Sequence, residues 1–231
     1  KLKRAVEMKK VQKIEGFGID SEKNILEAII SKEKDKGTER MLIPFAEVLA
    51  EETINHLKKL EGIIKIEAMG SFRRRSSTIG DLDIGVASKN FKKVIDSFVN
   101  APFVKKILAQ GINTARIIHK TDRQIDLKVV DPSSWGSLLQ HYTGSKDHNI
   151  DLREFAISRN LSLSEHGIKK ANKLLKFSEE KDFYKKLGME FIPPELREGT
   201  NEISLALKNK LPKLVKEKDI KGDLHIHSNF N

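Results

Sequence analysis

Apolar residues change their spacing twice along this chain, and the changes divide it. Residues 44–60, PFAEVLAEETINHLKKL, set Phe45, Val48, Leu49, Ile54 and Leu57 at helical intervals, with Pro44 suited to a first turn. The period then drops to two. IIKIEAM, DLDIGV, ARIIHK and QIDLKVV are short β-branched runs bounded by Gly, Asn, Asp or Pro, and are expected as strands. NFKKVIDSFVN, lying between them, has a helix period. Residues 44–131 therefore read as a mixed α+β unit with a sheet of about four or five strands. After Pro132 the helical spacing returns in SWGSLLQHY, NIDLREFAISRN, ANKLLKF and SEEKDFYKKLGM. Upstream, residues 1–43 read as short polar helices around a tight turn, IEGFGID. Pro193-Pro194 breaks the helical region of 132–200, and residues 201–222, lysine-rich around Pro212, have the composition of a linker. Residues 223–231, DLHIHSNFN, open a further strand.

Composition narrows the class of protein. A chain of 231 residues with 38% hydrophobic side chains forms one large domain or two small ones. No apolar run approaches the roughly 20 residues that a membrane helix needs. The lack of cysteine excludes disulfides and thiolate metal sites and suits a reducing cytoplasm. No signal-peptide pattern opens the sequence, and because it starts at Lys1 the natural N-terminus is expected upstream. With 43 basic and 33 acidic side chains the formal charge is +10. That charge fits an anionic partner such as nucleic acid, and equally fits lysine-rich surface helices such as KLKRAVEMKK.

Candidate chemistry comes from the strands. Side chains alternate faces along a strand, so in DLDIGV Leu82, Ile84 and Val86 point one way and Asp81 and Asp83 the other. QIDLKVV repeats this, with Ile125, Leu127 and Val129 inward and Gln124, Asp126 and Lys128 outward. If the two strands are neighbours, Asp126 joins the pair as a third carboxylate. Three converging carboxylates can hold two hard divalent cations about 4 Å apart, as in nucleotidyl transfer. The same acids also fit the open face of a half-exposed sheet. Just upstream, Gly70-Ser71 follows a strand and precedes a run able to open a helix, a place where backbone N–H groups and a hydroxyl meet phosphate. Arg73, Arg74 and Arg75 follow, and one of them can project towards the same oxygens. Ser71 as a plain N-cap beside a solvated arginine face is the competing reading.

GSFRR followed by GDLD resembles the nucleotidyltransferase palm of the family X DNA polymerases, gap-filling repair enzymes related to DNA polymerase beta. QIDLKVV is similar to the strand that bears this family's third aspartate. HYTGSKDHN followed by Arg153 is similar to the segment that turns from palm into thumb over the nascent base pair, and LSLSEHGI and IPPELRE extend the likeness. GDLHIHS resembles the first motif of a PHP phosphoesterase, in which His225 and His227 would be metal ligands of an incomplete second site. Palm, thumb and PHP in that order are similar to bacterial and archaeal members.

The resemblance implies an α+β fold, a palm flanked by helical fingers and an α-rich thumb. It implies that Asp81, Asp83 and Asp126 bind two Mg2+ ions, with Mn2+ able to substitute, and that Asp126 takes the primer 3′-hydroxyl proton. Gly70, Ser71, Arg74 and Gly80 match the triphosphate site of the dNTP. His141, Tyr142, Gly144 and Ser145 match the turn beside the sugar, Asn149 the base contact, and Lys146 and Arg153 contacts to DNA. Gly16 and Gly18 in IEGFG match a helix-hairpin-helix turn, though a helix-capping turn fits them as well. Four positions depart from animal relatives: Ser77 replaces an acid, Ile79 a hydroxyl, Gln124 an arginine that contacts the carboxylates, and His141 an aromatic beside the sugar. The implied function is templated gap filling in DNA repair, base excision repair included, by a monomeric, cytoplasmic, nucleoid-associated enzyme. Two alternatives stand beside it: a template-independent nucleotidyltransferase, and a catalytically weak DNA-binding module that positions a PHP nuclease.

Overall fold

The computed structural model describes residues 2–14, 18, 22, 25, 26 and 40–222. Gly16, His225 and His227 lie outside the described residues, so of the IEGFG turn only its ends, Ile14 and Gly18, are described.

Helix α1 spans Leu2–Glu7. A short strand β1, Met41–Leu42, leads into helix α2, Ile43–Lys58, with Pro44 in its first turn. The buried face of α2 is Ala46, Leu49, Ala50, Thr53 and Leu57. Phe45 and Val48, which share the helical spacing, are instead 67% and 63% exposed. The small side chains of Ala46 and Ala50 let the helix lie close on the sheet, and this turns the larger pair outward. Helix α4, Phe91–Val99, starts where Asn90 accepts a hydrogen bond from Lys93 N at 3.1 Å. Its buried residues are Val94, Ile95, Phe98 and Val99.

Between α2 and α4 the chain runs through strand β2 (Ile63–Ala68), the single helical turn α3 (Gly70–Arg73), strand β3 (Thr78–Ile79) and strand β4 (Leu82–Ser88). After α4 come β5 (Val104–Gln110), β6 (Thr114–His119) and β7 (Gln124–Val130). The main sheet has the order β2-β4-β7-β6-β5, and β1 pairs separately with β3. All neighbours in the main sheet are antiparallel except β4 and β7, which run parallel. Strand β5 has no clean alternation because it is an exposed edge with two register irregularities. One face of the sheet packs Leu82, Ile84, Val86, Ile117, Ile125, Leu127 and Val129 against Leu57, Ile95 and Phe98. Each such side chain contributes about 1.5–3 kcal/mol by leaving water, and this core fixes which way the acids of β4 and β7 face.

The chain continues with helices α5 (Trp135–Thr143) and α6 (Lys146–Ile157), strands β8 (Leu161–Ser164), β9 (Gly167–Lys170) and β10 (Lys173–Leu175), and helices α7 (Glu180–Lys186) and α8 (Glu202–Leu207). ANKLLKF is therefore a strand and not a helix. Ala171 takes φ 51°, which stops a right-handed helix, and Lys173–Leu175 pair antiparallel with Lys170–Ile168. This region is thus mainly helical with a three-stranded sheet added. A second core gathers Leu152, Ile168, Phe183, Tyr184, Leu187, Met189, Ile192 and Ala206. Ala206, Leu207 and Leu211 belong to that core or pack on it, so the core reaches past residue 200 into the stretch whose composition suggests a linker.

Apolar packing and ion pairs join the two regions. Met69, Ala87 and Val130 on the other face of the main sheet pack against Trp135, Leu138 and Leu139 of α5. Alongside, the Glu180 carboxylate accepts from Arg73 Nη2 at 2.9 Å and from Arg197 Nη1 at 2.6 Å. Arg197 is fully buried, donates twice more to the Ile192 carbonyl, and lies beside the rings of Tyr184 and Phe191. Burial alone would lower the pKa of Arg73, but Glu180 and Glu67 raise it above the ordinary value. Removing Glu180 leaves the buried Arg197 with no carboxylate and Arg73 with Glu67 alone. Glu180→Ala is expected to cost about 3 kcal/mol in urea denaturation, whereas Lys92→Ala, which breaks the exposed helix pair with Asp96, costs about 0.3 kcal/mol.

Candidate active site

The parallel register of β4 and β7 sets Asp83 directly beside Asp126. Their neighbours Leu82, Ile84, Ile125 and Leu127 are fully buried in the core, so the carboxylates emerge together on the opposite face. Asp83 is half-buried, Asp126 is buried, and Asp81 sits exposed one residue before β4. Burial, then the charges of Asp81 and Asp126, push the Asp83 carboxyl up to about 7, with Lys128 and Arg116 offsetting part of the rise.

Asp126 carries its own counter-charge. Arg116, its cross-strand partner on β6, donates from Nε to both carboxylate oxygens at 3.0 Å and from Nη2 to Oδ2 at 2.9 Å. Gln124 Nε2 adds a bond to Oδ1 at 2.9 Å. The sequence reading missed Arg116, whose only signal is a pairing register that a single chain pattern does not reveal. Gln124, a departure from the animal pattern, still touches the acid.

Among the described residues no three acidic, imidazole or thiolate side chains close into a ready cation cage. The donor set nevertheless fits a hard divalent ion. It consists of carboxylate oxygens, and burial, followed by the charges of Asp81 and Asp126, pushes the Asp83 carboxyl towards its neutral form. Arg116 supplies the positive charge that such a cluster requires.

The residues expected at the triphosphate stand next to the acids. Gly70 has φ +60°, and a Cβ built there would collide with Asp83 Oδ2, so the Gly-Ser turn and the aspartate pair are one packed unit. The N-cap of α3 is Met69, without a side-chain cap, so Ser71 does not serve as one. Arg74 donates from Nη1 to the Thr143 carbonyl at 2.6 Å and from Nε to Glu198 Oε1 at 2.9 Å. Arg75 is exposed and pairs with Glu47 at 3.1 Å. On the far side of the motif, Arg40 donates to Thr78 Oγ1 at 2.7 Å and to its carbonyl at 2.6 Å. Its Nη1 lies 3.2 Å from where a Cβ on Gly80 would stand, so Arg40 is a second cation beside this motif that sequence reasoning missed. Ile79 is apolar because it is fully buried and pairs with Met41. Ser77 is exposed.

The turn after α5 closes the site. Gly144 has φ +69°, and Ser145 caps α6 by accepting from His148 N at 3.2 Å while its own N–H donates to the Arg197 carbonyl at 2.9 Å. His141 and Tyr142 meet edge to face at 4.9 Å, and Lys128 Nζ lies 5.2 Å from the Tyr142 ring centre. Burial lowers the His141 pKa, so its ring is neutral at neutral pH. Asn149 accepts from Gln140 at 2.8 Å and donates to the His141 carbonyl at 2.7 Å. Lys146 and Arg153 lie exposed on α6.

Comparison with known proteins agrees with this layout. Residues 42–153 match the family model "DNA polymerase beta palm" and residues 138–198 match "DNA polymerase beta thumb". The chain is 35% identical over 234 aligned residues to "DNA polymerase/3'-5' exonuclease PolX" of Bacillus subtilis (strain 168), which covers all of this chain and 40% of that protein. It is 26% identical over 163 residues to "DNA polymerase lambda" of Rattus norvegicus, which covers 57% of this chain and 28% of that protein. The palm and thumb matches together take in well over half of the chain, which belongs to the family X DNA polymerases. It spans less than half the length of either relative.

A raised carboxyl pKa destabilises the fold as pH climbs from the unfolded value near 4 to about 7, because the native state holds the extra proton over that range. Asp83→Asn is therefore expected to raise the melting temperature in EDTA at pH 8 by roughly 2–4 °C, the shift for about 1 kcal/mol in a chain of this size. At pH 4 the gain should vanish, as thermal melts at the two pH values will show.

Proposed function

We propose that this chain is the polymerising part of a family X enzyme, adding a templated deoxynucleotide to a primer 3′ end within short gaps in DNA. The observation that carries the reading is the register of Asp83 with Asp126 beside the Gly70 turn, where acids and a phosphate-facing loop share one surface. Asp81, Asp83 and Asp126 would hold two divalent cations, Mg2+ with Mn2+ as a substitute, which favour the ionised 3′-hydroxyl and offset charge on the phosphate oxygens when bound. Asp126 takes the hydroxyl proton, and Arg116 holds that carboxylate in a single orientation.

Arg74, Ser71 and the backbone at Gly70 and Gly80 receive the triphosphate, with Arg40 beside Gly80. His141, Tyr142, Gly144 and Ser145 form the floor under the sugar. Asn149, held by Gln140 and the His141 carbonyl, keeps its second Nδ2 hydrogen for the base. Lys146 and Arg153 project from α6 towards DNA, and Gly16 and Gly18 would bind its backbone as a helix-hairpin-helix turn. In this reading residues 1–43 are fingers, 44–131 palm and 132–200 thumb, followed by a connection over 201–222. His225 and His227 then begin a PHP unit. The enzyme acts as a monomer on gapped DNA, in base excision repair, within the cytoplasm at the nucleoid.

Extension of a primer on gapped DNA, with each dNTP supplied singly in Mg2+ and in Mn2+, tests the assignment. Only the dNTP complementary to the template should be incorporated, and Asp126→Ala should slow incorporation by about 10³-fold. Untemplated addition would favour a template-independent nucleotidyltransferase. An Asp126→Ala variant as fast as wild type would remove the metal and base roles given to that residue. DNA affinity should also fall steeply between 50 and 200 mM salt, at roughly one decade per few phosphates neutralised.

A further inference from the structure

Arg74 is the least ordinary of the three consecutive arginines. Arg73 is spent on the seam between the two regions and Arg75 on an exposed pair, whereas Arg74 sits at the edge of the nucleotide pocket and already holds an anion. Its side chain is 13% exposed, and two of its five N–H donors go to the Thr143 carbonyl and to Glu198.

Glu198 is not a loose surface acid that drifts into contact. The residue before it, Arg197, is fully buried, with its guanidinium on Glu180 and Ile192 and its carbonyl receiving Ser145 N. The residue after it, Gly199, has φ +74° and donates its N–H to Glu202 Oε1 at 3.1 Å, where a Cβ would press on Asp147. Glu202 also accepts from the N–H groups of Thr200 and Asn201. The backbone on both sides is pinned, and the Glu198 carboxylate is presented to Arg74 while remaining 48% open to solvent.

We infer that Glu198 is a resident anion in the triphosphate pocket, holding Arg74 until a phosphate group displaces it, and so setting the affinity for the incoming nucleotide. The inference rests on the triphosphate role proposed for Arg74 above. A guanidinium that is occupied part of the time binds its ligand with an affinity reduced by the fraction of time it is free. The exchange replaces a single carboxylate charge by the larger charge of a triphosphate, so Glu198 sets a threshold that weakly charged ligands fail to cross.

The test uses the whole chain on gapped DNA with a dideoxy-terminated primer, so that nucleotide binds without reacting. Dissociation constants for dTTP and for inorganic tripolyphosphate are measured by titration calorimetry. Glu198→Gln, which keeps size and hydrogen bonding but removes the charge, should tighten both by about two- to five-fold, the range a half-exposed ion pair supports. Glu195→Gln, which removes an exposed carboxylate from the same loop, should change neither. In an Arg74→Ala background the effect of Glu198→Gln should vanish, which a general charge effect or a folding defect would not produce. Weaker binding by Glu198→Gln would make Glu198 a support for Arg74 and overturn the inference. Unchanged binding, with wild type and Arg74→Ala differing, overturns the inference alone. A wild-type complex that binds no dTTP overturns both this inference and the proposed function.

Discussion

Parallel pairing of β4 with β7 is the constraint on which the rest of the molecule depends. A one-residue slip would bury the acids and expose Leu82, Ile84, Ile125 and Leu127, at a cost of several side-chain burials. The apolar core therefore holds two carboxylates next to each other against their own repulsion. Burial, with that repulsion added, raises the Asp83 pKa, and relief is built in close by. Arg116 lies across from Asp126 on the next strand, and Gly70 leaves room for the Asp83 carboxylate where any side chain would intrude.

How much of this could be read along the chain depends on the range of the interaction. DLDIGV and QIDLKVV alternate cleanly because each has one buried and one open face, so their strands and outward acids were legible. That Asp126 lies beside Asp83 depends on pairing across more than forty residues of chain, and no local pattern encodes it. Arg116 was invisible for the same reason: within ARIIHK it is simply a polar residue in an alternating strand. ANKLLKF misled because Leu174, Leu175 and Phe177 also satisfy a helical spacing over so short a run, while the deciding feature, the left-handed turn at Ala171, leaves no mark on apolar periodicity. Phe45 and Val48 share the apolar spacing of α2 yet lie exposed, while Ala46 and Ala50 are buried, a choice that spacing alone does not make.

The run Arg73-Arg74-Arg75 shows how neighbours of identical chemistry come to separate tasks. A single helical turn followed by a left-handed residue at Arg75 (φ 57°) fans the three side chains apart. One enters the seam with Glu67 and Glu180, one faces the pocket with Thr143 and Glu198, and one remains at the surface with Glu47. Burial and partner, more than residue type, decide what each contributes. Arg73 and Arg74 are almost equally enclosed, so it is the partners that separate them: two carboxylates for Arg73, one half-exposed carboxylate and a carbonyl for Arg74.

Glu180 is shared by an arginine from each side of the seam, and the two bonds are not mechanically alike. Arg197 and Glu180 are buried on the side of the seam that holds Phe183 and Tyr184, with Arg197 beside the Tyr184 ring, whereas Arg73 is fixed to the sheet through the turn after β2. Any shift between the two regions is therefore shared by the Arg73 bond, the Arg74 bonds to Thr143 and Glu198, and the Lys65 pair with Glu179. A single carboxylate thus serves as a common anchor for both regions, and the arginine that it holds on the sheet side is the chain neighbour of Arg74.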